Sequence, residues 1–308
     1  MKIYDMIIVG GGPGGYTAAL YAARAGLSVL VLERLSAGGQ MALTDQVDNY
    51  PGFSEGIDGY TLGVKMQEGA ERFGAETEYA EVYALHLEDA VKRVETSEGD
   101  FFARTLVLAT GAGPRKLGIA GEDALVGRGV HYCAACDGMF YRGKTVAVVG
   151  GGNSAVAEAL HLSRIAKEVI LIHRRDTLRA TKIYHESLKK AKNIRFVWNS
   201  QVGEFLHGEK LTGLRVKNVL NGEEEVISCD GVFVSIGRKP ATELAAGKLD
   251  LDDGGYVVAD ESTRTSVPGV YAVGDLRTKA LRQIITAASD GAIAAHFAQE
   301  YLTENVDN

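Results

Sequence analysis

Two cysteines three positions apart, followed at once by an acid, are the side chains of this 308-residue chain best suited to chemistry: Cys133-Ala134-Ala135-Cys136-Asp137. Thiols at this spacing can close a disulfide and reopen it, and a sulfur near a helix start ionises more readily, which favours exchange. Asp137 is placed to carry protons to and from a leaving thiolate as a general acid–base. Nine residues further on, Val146-Ala147-Val148-Val149 reads as a strand entering Gly150-Gly151-Gly152-Asn153-Ser154-Ala155. A second turn of this kind, Gly10-Gly11-Gly12-Pro13-Gly14-Gly15, lies near the N-terminus. Two dinucleotide turns and one thiol pair describe a path for electrons. A flavin is expected at one turn, a nicotinamide at the other, and the cysteines where electrons leave.

In the first turn Gly10 serves the tight bend, Gly12 lets the backbone approach a pyrophosphate and Gly15 allows close helix–strand packing, while the helix N-terminus faces the phosphate charge. Glu33, eighteen residues beyond Gly15 at the end of the next strand, is placed to accept from ribose hydroxyls. The second turn meets the fingerprint with Gly150, Gly152 and Ala155, flanked by Asn153 and Ser154, but its following strand ends differently, in His173-Arg174-Arg175-Asp176 with Arg179 nearby. A carboxylate there would repel a 2′-phosphate, whereas arginines bind one through charge-assisted bonds. NADPH is therefore expected over NADH, against the alternative of a surface arginine cluster paired with Asp176 and Glu168.

A metal reading of the thiols would use His131, Cys133, Cys136 and Asp137 as zinc ligands. Structural zinc sites usually draw on two separated ligand pairs, and the only other cysteine, Cys229, is distant in sequence and ends a strand-like segment. Zinc is not expected, and Cys229 reads as a core or edge residue. Nothing around the cysteines reads as a thioredoxin-like unit of its own. The net charge of −7 argues against a general nucleic-acid surface. The tight basic cluster Lys189, Lys190 and Lys192 reads as a solvated helix face. No apolar run approaches the roughly 18 residues needed to span a bilayer. Three cysteines and no leader-like start point to the cytoplasm.

The elements that must position these groups are legible in the hydrophobic pattern. Met6–Val9 is a strand, Tyr16 to Ala25 a helix ended by Gly26, and Val29–Leu32 the next strand, closing a βαβ unit. The same grammar restarts at Val146, with a helix to about Ala166 and a strand at Val169–Ile172. Further strands are expected at Thr105–Ala109, Gly231–Ile236 and Val270–Val273, and an Ala-rich helix from about Gln283 to Tyr301. The fold class is α/β, with two Rossmann-like, doubly wound, three-layer nucleotide-binding domains. The C-terminal stretch is too short for a third domain, so the first domain is expected to be discontinuous, 1–115 with 243–308, and the second, 116–242, to be inserted in it. Connectors at Pro114–Gly118 and Gly237–Thr242 suit hinge motion.

The chain resembles the low-molecular-weight, bacterial-type thioredoxin reductases over essentially its whole length. The landmarks run in order: Gly10 to Gly15, Gly38-Gly39-Gln40, Asn49-Tyr50-Pro51-Gly52, Ala109-Thr110-Gly111-Ala112, Cys133 to Gly138, Gly150 to Ala155, His173 to Arg179, and Gly274-Asp275 followed by Arg282-Gln283. The resemblance implies FAD in the first domain, with Gly39, Gln40, Asn49, Thr110, Gly111, Gly274, Asp275, Arg282 and Gln283 among its contacts beside Gly10, Gly12, Pro13, Gly15 and Glu33. It implies that Cys136 is the sulfur facing the flavin, Cys133 the thiol that attacks a partner disulfide and Asp137 the proton-transfer acid. His173, Arg174, Arg175 and Arg179 would then hold NADPH. Thioredoxin is the implied partner, and a homodimer with a rotating NADPH domain the implied assembly. The alternatives are a same-fold reductase serving a peroxiredoxin or glutaredoxin-like protein, and a flavin-binding redox sensor. Ala135 and Met139 depart from common family residues, and Met139 with Arg128 lies where members of the family dock thioredoxin.

Overall fold

The computed structural model describes residues 2–44 and 46–305, with the side chains of Ile183, His185, Glu186 and Lys189 outside the described set. Six α-helices occur among the described residues: α1 (Pro13–Arg24), α2 (Gly59–Glu71), α3 (Ala134–Asp137), α4 (Asn153–Leu162), α5 (Ile183–Lys190) and α6 (Ile284–Asn305). None of them is long and apolar enough to cross a membrane. The chain divides into two compact units, Met1–Gly113 with Lys239–Asn308, and Pro114–Arg238.

These borders differ from the expected 115/116 and 242/243, and hydrogen bonds give the reason. The Thr110 hydroxyl donates to the Ala241 carbonyl at 2.7 Å, and the Ala241 N–H returns to the Gly111 carbonyl at 3.0 Å. The Thr242 hydroxyl donates to the Gly255 carbonyl at 2.9 Å. Residues 241 and 242 therefore belong with the first unit. Arg115 N–H, in turn, bonds the Gly237 carbonyl at 2.9 Å, which ties both residues to the second.

In the first unit a seven-stranded sheet runs in the order Glu76–Tyr79, Val29–Glu33, Ile3–Val9, Gly99–Leu108, Lys92–Thr96, Val82–His86, with Val270–Ala272 also paired to Gly99–Leu108. The first four strands and Val270–Ala272 pair in parallel, and the last hairpins are antiparallel. Alternate residues of the central strands fill two cores. Met6, Ile8, Val29 and Val31 pack with alanines of α1 and α6, while Ile7, Val9, Leu30 and Leu32 pack with Leu85, Leu249 and Val257. Burial on both faces explains why such strands read as continuous apolar runs. Helix α1 starts at Pro13 rather than Tyr16, since proline at the first helical position forfeits no hydrogen bond. A Cβ on Gly291 would collide with the Gly14 carbonyl, so α1 and α6 meet at bare backbone.

The second unit holds a five-stranded parallel sheet in the order Ile194–Val197, Glu168–Ile172, Thr145–Val149, Gly231–Val234, Val130–His131. A three-stranded antiparallel sheet, Ser200–His207, Leu211–Asn218 and Glu224–Ser228, accompanies it and was not apparent from the apolar pattern. Its alternating, half-exposed strands carry weaker signals than buried parallel ones. Helix α4 ends at Leu162, short of the expected Ala166, and turns carry the chain on. Cys229 is buried, and burial pushes its thiol up to about 12, so it stays protonated. Lys190 and Lys192 are exposed, in keeping with a solvated face, and the Lys189 side chain lies outside the described residues.

Candidate active site

Chemistry-bearing residues gather at the carboxyl ends of the parallel strands in both units. This is where doubly wound sheets bind ligands, because each strand there opens into a loop or a helix N-terminus. In the first unit Gly10 follows Val9, Glu33 ends its strand, Thr110 and Gly111 follow Leu108, and Gly274 follows Ala272. In the second, Cys133 follows His131, Gly150 follows Val149, and His173 and the arginines follow Ile172.

The first turn leaves the start of its helix open. Gly10 takes φ +107°, and a Cβ on Gly15 would strike the Gly10 carbonyl, whereas a Cβ on Gly12 would meet open space. Gly12 is the N-cap of α1 with no side chain covering it. The uncapped N-terminus of this helix can therefore receive an anion. Glu33 is engaged by the backbone: its Oε2 accepts the Gly11 N–H at 2.7 Å and its Oε1 the Leu35 N–H at 3.0 Å, stapling turn to strand. Pro13 and Gly39 flank the opening, and a Cβ on Gly39 would sit 3.4 Å from the Gly12 Cα. Gln40 is exposed nearby, its Nε2 close to Gly113. Asn49 donates to the Gln283 side chain at 3.0 Å, joining two expected residues that are far apart in sequence. Arg282 stacks 4.0 Å over Tyr256 and donates to the carbonyls of Asp275 and Arg277, so it holds the Gly274–Leu276 turn in place.

Behind that turn lies a group that sequence reasoning missed. Asp290 of α6 accepts from Gly274 N–H (2.8 Å), from Arg277 (2.7 and 3.0 Å) and from Lys279 (2.7 Å), all buried. An acid within the Ala-rich first half of the helix is the signal that could have flagged it.

The second turn repeats the design. Gly152 is the uncapped N-terminus of α4, a Cβ on it would meet nothing, and a Cβ on Gly150 would strike the Ser235 carbonyl and Ala155. Asn153 Oδ1 accepts the Thr181 N–H at 2.8 Å, and the N–H groups of Arg179 and Ala180 both bond the Gly151 carbonyl, at 2.7 and 3.1 Å. The arginine loop is thus laced onto the turn by its backbone. Ser154 and the side chains of Arg174, Arg175 and Arg179 are exposed, whereas Glu168 pairs with Arg195. His173 behaves differently: it is buried against Gly151, and its Nε2 lacks a partner. Burial and then the three arginine charges hold its pKa below the usual histidine range, so it is neutral.

The thiols are oxidised. Cys133 and Cys136 form a disulfide with Cα atoms 5.3 Å apart. Cys133 is the N-cap of α3, its Sγ accepting the Cys136 N–H at 3.2 Å, so the first sulfur does lie at a helix start. Both cysteines are half-buried, and Met139 and Phe140 beside them are each 47 % exposed. Asp137 Oδ2 lies 3.1 Å from Nδ1 of the buried His131, and His131 Nε2 lies 2.7 Å from the Tyr141 hydroxyl. On α4, the Glu158 carboxyl accepts from the Ser235 hydroxyl and from the Ala134 N–H, and burial raises its pKa above the ordinary range.

A family model for pyridine nucleotide-disulphide oxidoreductases matches residues 4–291. A thioredoxin reductase of Listeria monocytogenes is 46 % identical over 304 residues, 98 % of this chain and 95 % of that one. The chain belongs to the thioredoxin reductases of this family. A bifunctional thioredoxin reductase/thioredoxin of Mycobacterium leprae is 47 % identical over 98 % of this chain, which spans 67 % of that protein. The crystal structure of thioredoxin reductase from Streptococcus pyogenes superposes with a TM-score of 0.91 at 42 % identity, covering 98 % of this chain and 99 % of that one. For a thioredoxin reductase the carboxyl-end placement of both turns and of the disulfide is the arrangement that the fold provides.

Proposed function

We propose that this thioredoxin reductase is NADPH-dependent, holds FAD in the discontinuous unit, and reduces oxidised thioredoxin through Cys133 and Cys136. The observation that carries the reading is the disulfide at the start of α3, on the same sheet edge as an uncapped glycine turn laced to an arginine loop. Both cofactors fit the residues present. Each turn leaves open space where a Cβ would sit on its capping glycine, Gly12 or Gly152, in front of a helix N-terminus that no side chain caps. FAD would be held by Gly10, Gly12, Pro13, Gly15, Glu33, Gly39, Gln40, Asn49, Thr110, Gly111, Gly274, Asp275, Arg282 and Gln283. NADPH would be held by Gly150, Gly152, Asn153, Ser154, Ala155, Arg174, Arg175 and Arg179, with the neutral His173 backing the turn.

When bound, NADPH supplies a hydride and FAD relays its two electrons. Cys136 accepts them, the Cys133–Cys136 bond breaks, and Asp137 holds the proton that the nascent thiolates exchange. Cys133 then attacks one sulfur of the thioredoxin disulfide, releasing a thiolate that takes a proton. Cys136 resolves the mixed disulfide, freeing the second thiolate and restoring the starting bond. The names of the relatives do not favour a different thiol partner or a redox sensor. We further propose a cytoplasmic homodimer.

The test is Cys136→Ser in the FAD-loaded protein. Thioredoxin-dependent NADPH oxidation should vanish while NADPH still bleaches the flavin. Loss of bleaching would refute the electron path, and a wild-type protein that oxidises NADPH with a peroxiredoxin but no thioredoxin would refute the partner.

A further inference from the structure

We propose that His131 is the positioning residue of the dithiol site, fixing the Asp137 carboxyl at one ring nitrogen while Tyr141 fixes the imidazole at the other. This rests on the reading of Asp137 as the proton carrier.

The imidazole has little freedom. It is 6 % exposed and lies face to face with Phe233 at 5.2 Å, with Tyr141 edge-on at 5.2 Å. Its backbone is anchored as well: His131 pairs with Phe233 in the parallel sheet, and Phe233 pairs with Val148 just before the glycine turn. Tyr141 is seated against Gly231, where a Cβ would collide with the phenol ring, and burial pushes its hydroxyl up to about 12, so it keeps its proton. A Tyr141 hydroxyl donating to Nε2 leaves Nδ1 as the protonated nitrogen, and Nδ1–H then donates to Asp137 Oδ2 at 3.1 Å. Glu158 also approaches this acid, but its carboxyl is engaged by the Ser235 hydroxyl and the Ala134 N–H.

The chemical consequence is directional. When Asp137 protonates a departing thiolate of the partner disulfide, its O–H bond breaks, an S–H bond forms, and the O–H electron pair stays on the carboxylate. That new anion already faces the Nδ1–H, so no group must turn to receive it. A hydrogen bond made to the charged form lowers the energy of that form, and a ring stacked on Phe233, met edge-on by Tyr141 and engaged at both nitrogens holds the carboxyl in place.

The experiment compares kcat and KM for an oxidised thioredoxin across His131→Ala, His131→Asn, His131→Gln, Asp137→Asn and the double variant His131→Ala/Asp137→Asn. Asp137→Asn should lose about 100-fold in kcat, the lower range of general acid–base effects. His131→Ala should lose about tenfold in kcat with KM within about twofold, a positioning loss confined to the chemical step. Asparagine places an amide N–H near Nδ1 and should recover most of the rate, whereas glutamine reaches toward Tyr141 and should not. In the Asp137→Asn background, His131→Ala should cost nothing further. Equal rates for the asparagine and glutamine variants, or a full further loss in the double variant, would overturn the proposal. Wild-type kcat in Asp137→Asn would instead defeat the underlying reading of that acid. If the alanine variant does not fold, the contrast between asparagine and glutamine still decides.

Discussion

Three arginines and a histidine follow the strand Glu168–Ile172, and the structure separates their jobs. The arginines are exposed and carried by a loop whose backbone is bonded to the Gly151 carbonyl. His173 is neutral and packed on Gly151, so it supports the turn and contributes no charge to a phosphate. Replacing Arg174 or Arg179 by alanine should therefore raise KM for NADPH by about 10- to 100-fold, the worth of a charge-assisted bond of about 1.5–3 kcal/mol. KM for NADH, which lacks the 2′-phosphate, should stay nearly constant. Steady-state kinetics with both nucleotides checks this, and an equal loss for the two would sink the assignment.

Helices α1 and α4 both begin at a glycine rather than at Ser, Thr, Asp or Asn. A side-chain cap would occupy the amides that the proposed cofactor phosphates would use, so each turn forgoes that cap. The first unit compensates deeper in the fold. Helix α6 delivers Asp290 to the back of the Gly274–Leu276 turn, where it meets a backbone N–H, Arg277 and Lys279. Removing one member of such a buried cluster leaves uncompensated charge. Asp290→Ala should destabilise the protein by about 3–5 kcal/mol and should release flavin more readily, as read by thermal melting and by absorbance after dialysis. A melting temperature equal to wild type would show that the cluster is not under tension from its burial.

The chain leaves the first unit once and returns once, so any motion of the units must be absorbed at two short connectors. The structure narrows them. Glu122 accepts the N–H groups of Leu117 and Gly118 at 2.9 and 2.8 Å, and Ala241 is bonded to Gly111. At Pro114 and Gly237 the two connectors are joined, by the pairing of Ala112–Pro114 with Arg238–Pro240 and by Arg115 N–H to the Gly237 carbonyl, so the proposed hinge would bend both together. The disulfide and the proposed nicotinamide site share one unit, yet both must serve a flavin proposed for the other. A covalent crosslink between the two units should abolish thioredoxin reduction reversibly, with activity returning on cleavage. Full turnover in the crosslinked protein would refute the hinge.

Short-range chemistry is legible in the sequence alone. The glycine turns, the arginines after the second βαβ unit and the Cys133–Cys136 spacing each depend on a few consecutive residues whose backbone geometry follows from their types. Buried parallel strands were equally plain, because apolar runs must lie between two layers. What stayed hidden depends on how helices and loops fold back onto one another. Asn49 meets Gln283, Asp290 meets Arg277, and His131 meets Asp137 and Tyr141. His131, whose type and spacing also suit a metal ligand, is buried against Phe233 by parallel pairing with Gly231–Val234, with its Nδ1 3.1 Å from Asp137. No local pattern encodes such partners, since which side chains meet is set by how the elements pack, and only the folded molecule supplies that.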